Sequence, residues 1–323
     1  MLRYVGIVIL MTGWISGAAA AQLSPQNPAA AGLAREIAEG PARAIRDGEA
    51  PDSKGSGAYP AMKHQVTGLP GHVIYQPADL AALGARKMPL YIFGNGACSE
   101  DAASSRQHLL EIASHGYLAI APGGIYSGPG IAMTVESIAK HNSKTAHTQL
   151  GEPIDWAIAE NARRASPLFG RLDISRIAVS GYSCGGIQAL KYAGDPRVTT
   201  LVIMNSGILD ASAPQMGEMK ADKSLLDTIN VPTLYVLGGP SDIAYPNGMD
   251  DFARLKAVPS AMINIDVGHK GTYGEPNGGA AAQAVVAWLD WQLRGSKTAS
   301  TWFVGKDCKL CTDKKWTIDR HNM

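Results

Sequence analysis

Apolar and polar positions along this chain follow two periods, and the switches between them outline its elements. Leu90 to Phe93, Tyr117 to Ala121, Ile177 to Val179, Thr200 to Met204, Thr233 to Leu237 and Ala261 to Ile265 are short, mainly apolar runs. Runs of this length bounded by Gly, Pro or Asp predict strands buried within a parallel sheet. Between them, Arg106 to His115 and Ile154 to Ala165 read as helices, the first stopped by Gly116 as a C-cap. Ile187 to Tyr192 has helical composition, and Ala280 to Leu293 carries Val285, Trp288 and Leu289 at helical spacing. His72 to Gln76 reads as a short edge strand. Strands alternating with helices predict an α/β fold, a mostly parallel twisted sheet with helices on both faces.

Two stretches break this rhythm. Residues 22–71 are rich in Ala, Gly and Pro, with one helical stretch from Gly32 to Arg46 and an extended arm from Gly48 to Gly71. Residues 125–150 are polar, include His141 and His147, and form a candidate lid or pocket wall. The expected organisation is a leader (1–21), an N-terminal arm (22–71), one catalytic domain (72–295) and a C-terminal extension (296–323).

The leader changes how the rest is read. Arg3 gives a positive start, Val5 to Ile15 an apolar core and Ser16 to Ala21 a run of small residues, the pattern of a secretory signal cleaved before Gln22. A retained anchor would need ~20 apolar residues, and no other stretch could span a bilayer. The expected product is therefore secreted or periplasmic, without stable membrane insertion. A chain of 323 residues, 46% hydrophobic and with a net charge of +1, is long enough for one large core. Its balanced charge gives no reason to expect nucleic acid or an anionic membrane surface as a partner.

The candidate chemistry centres on Gly181-Tyr182-Ser183-Cys184-Gly185-Gly186, between an apolar run and a helix. Strand, G-x-S-x-G turn and helix in that order describe a nucleophile elbow, which lifts the serine hydroxyl into open space. A serine is a poor nucleophile without a base to take its proton and a carboxylate to orient that base. Asp242 follows the run Thr233 to Leu237, and His269 follows Ala261 to Ile265, in the order Ser, acid, His. Both sit at C-terminal strand ends, where open parallel sheets gather reactive groups. Asp210 competes for the acid role, whereas Asp266 lies too close to His269 in sequence. An oxyanion hole needs two N–H groups. One is expected from Cys184, the other from Asn95, Gly96 or Ala97 in the loop Gly94 to Cys98.

The remaining signals are structural. His108, His115 and His141 lie among polar residues without metal-ligand spacing, and read as surface or structural side chains. No metal and no cofactor is implied. In an oxidising compartment the four cysteines suggest two disulfides, with Cys308-x-x-Cys311 as a local pair. Cys98 and Cys184 sit in two loops that must converge if both N–H groups are to reach one oxygen, which favours a bridge. The alternative is a free Cys184 packed under the elbow.

At three stretches the sequence resembles the α/β-hydrolase superfamily over residues 70–295, nearest to its cutinase-like and polyester hydrolases and its dienelactone-hydrolase group. They are Ile112 to Tyr117, the elbow, and Val231-Pro232-Thr233-Leu234 leading to Asp242. The resemblance implies a Ser183–Asp242–His269 triad hydrolysing small-molecule or polymeric esters through an acyl-enzyme. Two other expectations remain: the same triad acting on carbon–carbon (β-diketone) or amide bonds, and an inactive binding protein of the same fold.

Overall fold

The computed structural model describes residues 28–323, apart from Pro214 and Met216. The expected leader, 1–21, lies outside the described residues. Helix α1 (Pro28–Glu49) opens the described chain, followed by β1 (Ala61–His64), β2 (His72–Pro77) and β3 (Met88–Gly94). Next come α2 (Arg106–Ser114), β4 (Leu118–Pro122), α3 (Val135–His141) and α4 (Glu152–Ala162). The elbow strand β5 (Leu172–Tyr182) runs into α5 (Cys184–Tyr192), then β6 (Thr200–Met204) and β7 (Thr233–Leu237). The chain continues through α6 (Tyr245–Arg254), β8 (Ser260–Ile265), α7 (Gly279–Arg294) and β9 (Trp316–His321).

These strands form one 9-stranded sheet in the order β1-β2-β4-β3-β5-β6-β7-β8-β9. From β4 across to β8 every pairing is parallel, and β5 lies near the middle with β3 on one side and β6 on the other. Side chains on a strand alternate between faces, so each buried run feeds two cores. Leu90 and Ile92 pack on one face with Leu118, Ile177, Ile203 and the α4 residue Ile154. Tyr91 and Phe93 pack on the other with Ala178, Val202 and the α7 residues Trp288 and Leu289. The α/β fold with helices on both faces is therefore the one the apolar runs predict. The burial of Trp288 is completed by its indole N–H, which donates to Thr200 Oγ1 at 2.9 Å.

The sheet edges differ from expectation. β2 is not an edge strand: it pairs antiparallel with β4 on one side and with β1 on the other. β1 belongs to the arm and β9 to the C-terminal extension, and β9 pairs antiparallel with β8. Both outer strands present exposed positions to solvent, so they lack the apolar runs that mark the interior strands. Helix α6 was also not expected from the sequence.

Candidate active site

The C-terminal ends of the parallel strands share one edge of the sheet, and the register brings Gly94 beside Gly181. At Ser183 the backbone turns with φ 54° and ψ −122°, a conformation uncommon for residues with a side chain. The turn closes only because its flanks lack Cβ atoms. A Cβ on Gly181 would lie 2.1 Å from the carbonyl oxygen of Gly185, and one on Gly185 would lie 2.1 Å from that of Gly94. The second approach presses the loop after β3 directly against the elbow.

Ser183 Oγ lies 3.0 Å from His269 Nε2, and His269 Nδ1 lies 2.7 Å from Asp242 Oδ1. The Asp242 carboxylate is fully buried. Its Oδ1 also accepts from the Ala244 N–H at 2.9 Å, and its Oδ2 from the Gly238 N–H at 3.0 Å and Asn205 Nδ2 at 2.8 Å. Burial by itself pushes this carboxyl's pKa up, but the hydrogen bonds from His269, Ala244 and Gly238 outweigh it and hold it below the ordinary value. An ionised carboxylate only accepts, so it selects the tautomer with the proton on Nδ1 and leaves the Nε2 lone pair for the serine hydroxyl. Asp210 is exposed, and its Oδ1 is taken by the N–H and hydroxyl of Ser212 at 2.8 and 2.7 Å. Asp266 accepts from Ser241 Oγ at 3.1 Å. Neither carboxylate reaches an imidazole within hydrogen-bond distance.

Asn205 is a residue the sequence reading passed over in this setting. It stands just past β6 with φ 44°, is buried, and binds both the Asp242 carboxylate and, at 3.2 Å, the Gly268 carbonyl. Its own Oδ1 accepts from Tyr273 Oη at 2.9 Å. A polar residue ending a buried strand at this sheet edge is the signal that could have found it.

The loop Gly94 to Cys98 is tied to the elbow covalently. Cys98 and Cys184 form a disulfide with Cα atoms 5.2 Å apart, and Cys308 and Cys311 form a second with 4.9 Å between Cα atoms. In the chain-entropy view, a bridge closing 86 residues stabilises by about 4–5 kcal/mol. A Cys98→Ser/Cys184→Ser double variant is expected to lose up to about that amount in urea denaturation. A midpoint unchanged from wild type would show that the bridge contributes nothing to stability. Gly96 and Ala97 line the cavity in front of Ser183, while Asn95 is buried with its side-chain amide donating to the carbonyls of Ser99 and Pro122 at 2.8 and 2.7 Å.

That cavity holds about 310 Å³. The segment 125–150 supplies one wall through Tyr126, Ile138 and His141. Another wall comes from the arm: Glu36, Gly40, Ala44, Asp47 and Gly48 recur on one face of α1 and line the same space. The C-terminal end of α1 is pinned by Lys270 to Asp47 at 3.1 Å, by buried Arg106 to the Asp47 carbonyl at 2.9 Å, and by the Gly128 N–H to the Gly48 carbonyl at 2.7 Å. The arm thus completes the cavity.

A separate cleft of about 350 Å³ includes Ser56, Glu111 and His115. There the carboxylate takes the serine hydroxyl at 2.5 Å and the imidazole at 3.0 Å, so the imidazole meets the carboxylate and not the serine oxygen. Of the two readings open for His108, surface or structural, its burial supports the structural one. It is fully buried beside Tyr91 Oη at 2.8 Å, and burial lowers its pKa to about 3, leaving it neutral. His141 is hydrogen-bonded to Glu100 at 3.0 Å and stacked on Tyr126.

No family model matches the chain. Hydrolase ffsE of Aspergillus flavipes is 30% identical to it over 139 residues, which is 43% of this chain and 30% of that protein's length. Over less than half of its length, then, the chain is similar to a protein named as a hydrolase, and its mostly parallel α/β sheet fits such a fold.

Proposed function

We propose that this protein is an exported serine hydrolase of carboxylic esters working through an acyl-enzyme. The observation that carries this reading is the hydrogen-bonded line from Ser183 Oγ through His269 to buried Asp242. The name of the A. flavipes relative agrees with hydrolysis in general. Two disulfides among the described residues fit an oxidising compartment, and no described helix is long and apolar enough to cross a membrane.

In this mechanism Ser183 Oγ attacks the acyl carbon while His269 Nε2 takes its proton, and Asp242 stabilises the imidazolium. The oxyanion is met by the N–H of Cys184 and one from Gly96 or Ala97, each worth roughly 10²–10³ in rate. Nε2 then protonates the departing alcohol. Water enters, gives a proton to Nε2 and attacks the acyl carbon; Nε2 returns that proton to Ser183 Oγ as the acid leaves.

A fluorophosphonate probe followed by peptide mass mapping tests the reading. A single adduct on Ser183, together with turnover of simple esters but not of amides or β-diketones, is the expected result. Absence of any adduct on folded protein would rule out an activated serine.

A further inference from the structure

One wall of the cavity in front of Ser183 is built for hydrogen bonding, although most of its polar groups are withdrawn from solvent. Ser99, Asp101, Ser105 and Ser127 all line it, and their residues are 6%, 6%, 3% and 1% exposed. Asp101 and the strip that carries Ser127 run side by side. Asp101 bridges to Gly124, and the Tyr126 N–H donates to Asp101 Oδ1 at 3.1 Å.

Two features of this wall are unspent. The hydroxyl of Ser127 has no hydrogen-bond partner among the described residues. A buried polar group left in that state costs about 1–3 kcal/mol, so native structures satisfy nearly all of them. The Asp101 carboxylate receives the N–H groups of Ala103 and Tyr126, both on Oδ1, and no Lys, Arg or His nitrogen among the described residues forms an ion pair with it. A carboxylate offers about four acceptor sites, so Oδ2 keeps capacity for donors brought by a ligand. Next to these groups, Tyr126 and His141, which also line the cavity, stack with centroids 3.9 Å apart and planes 9° apart.

We propose that this wall is a subsite for a hydroxyl-rich arm of the substrate, so that the preferred esters are those of sugars or polyols. Hydroxyl groups supply the donors that Asp101 Oδ2 lacks, and they can both donate to and accept from Ser127 Oγ. The carbon face of a ring or chain has the Tyr126–His141 stack to lie on. A carboxylate without an ion-pair partner also disfavours anionic substrates. The inference rests on the ester-hydrolase reading above and adds the substrate class to it.

The test compares kcat/KM for glycerol monoacetate and for methyl 6-O-acetyl-glucoside with that for propyl acetate. A site that pairs substrate hydroxyls rejects analogues lacking them strongly, and a preference of roughly 100-fold or more for the hydroxylated esters is expected. Ser127→Ala and Asp101→Asn should each cut that ratio about tenfold, mostly through KM. The asparagine variant retains an oxygen for the Ala103 and Tyr126 N–H groups, so it probes the free acceptor rather than the loop. A wild-type ratio within about threefold of one, or a ratio unmoved in both variants, overturns the subsite. So does a preference for 2-aminoethyl acetate over glycerol monoacetate, which would mean that Asp101 selects charge. Turnover of propyl acetate or an aryl acetate without discrimination leaves the hydrolase reading intact. Failure of every ester together with failure of fluorophosphonate labelling removes that reading first.

Discussion

Ser183→Ala is expected to lower ester turnover roughly 10⁶-fold while the protein keeps its fold. The hydroxyl makes one side-chain contact of consequence, with His269 Nε2 at 3.0 Å. The elbow is held by other means: the Ser183 N–H donates to the Met204 carbonyl at 3.0 Å, and its carbonyl accepts from Ser206 Oγ at 2.6 Å. Alanine carries the same Cβ into the φ 54° conformation, so it adds no backbone strain beyond the serine's own. Activity and stability therefore separate. The check is kcat by pH-stat beside the thermal midpoint by circular dichroism. A well-folded variant turning over within tenfold of wild type would end the assignment of Ser183.

The second large effect concerns the acid. Asp242→Asn is expected to cost roughly 10⁴ in kcat, because the amide supports the wrong imidazole tautomer. In the native site both carboxylate oxygens face donors: Ala244 N–H and His269 on one, Gly238 N–H and Asn205 Nδ2 on the other. An amide NH₂ placed on either side meets at least one backbone N–H that cannot turn away. Directed at His269 it asks Nδ1 to accept, which moves the proton to Nε2 and removes the base from Ser183. Asp210→Asn, at an exposed carboxylate bonded to Ser212, should cost little. The reverse ranking would transfer the acid role to Asp210.

Asp242 also leaves a pH signature in stability. Its native pKa is depressed. Its contribution is therefore present above the unfolded value of about 4 and is lost as pH falls through the native value. Urea titrations in that acid range should show a shallower decline for the asparagine variant than for wild type.

Much of this was legible along the chain because the signals are local. A strand buried on both faces must be apolar throughout, so β3, β6, β7 and β8 announce themselves within five to seven residues. The elbow is equally local, since the glycines at 181 and 185 answer to atoms only a few residues away or in the adjoining strand end. Once parallel strands are identified, their C-terminal ends must share an edge, and that alone carries Asp242 and His269 toward Ser183. The cysteine pairing was half legible. Convergence of two loops follows from the chemistry of an oxyanion hole, but whether the Cys184 Cβ turns toward Cys98 depends on the approach of Gly94 to Gly185, which is a matter of packing.

What only the tertiary structure decided are the contacts between segments with no pattern of their own. Strands β1 and β9 each cover an edge and bury only their first residue, so neither carries an apolar run. The face of α1 that walls the cavity is made of Gly and Ala with two acids, a composition that carries no large apolar side chain to mark it along the chain. His108 sits in polar sequence yet lies in the core, because α2 turns that position toward Tyr91 and Phe93. Asn205, Asp101 and Ser127 acquire their meaning in the same way. Hydrogen-bond partners are chosen by position in space, and residues 37 positions apart, as Asn205 and Asp242 are, meet only after the sheet has set their strands side by side.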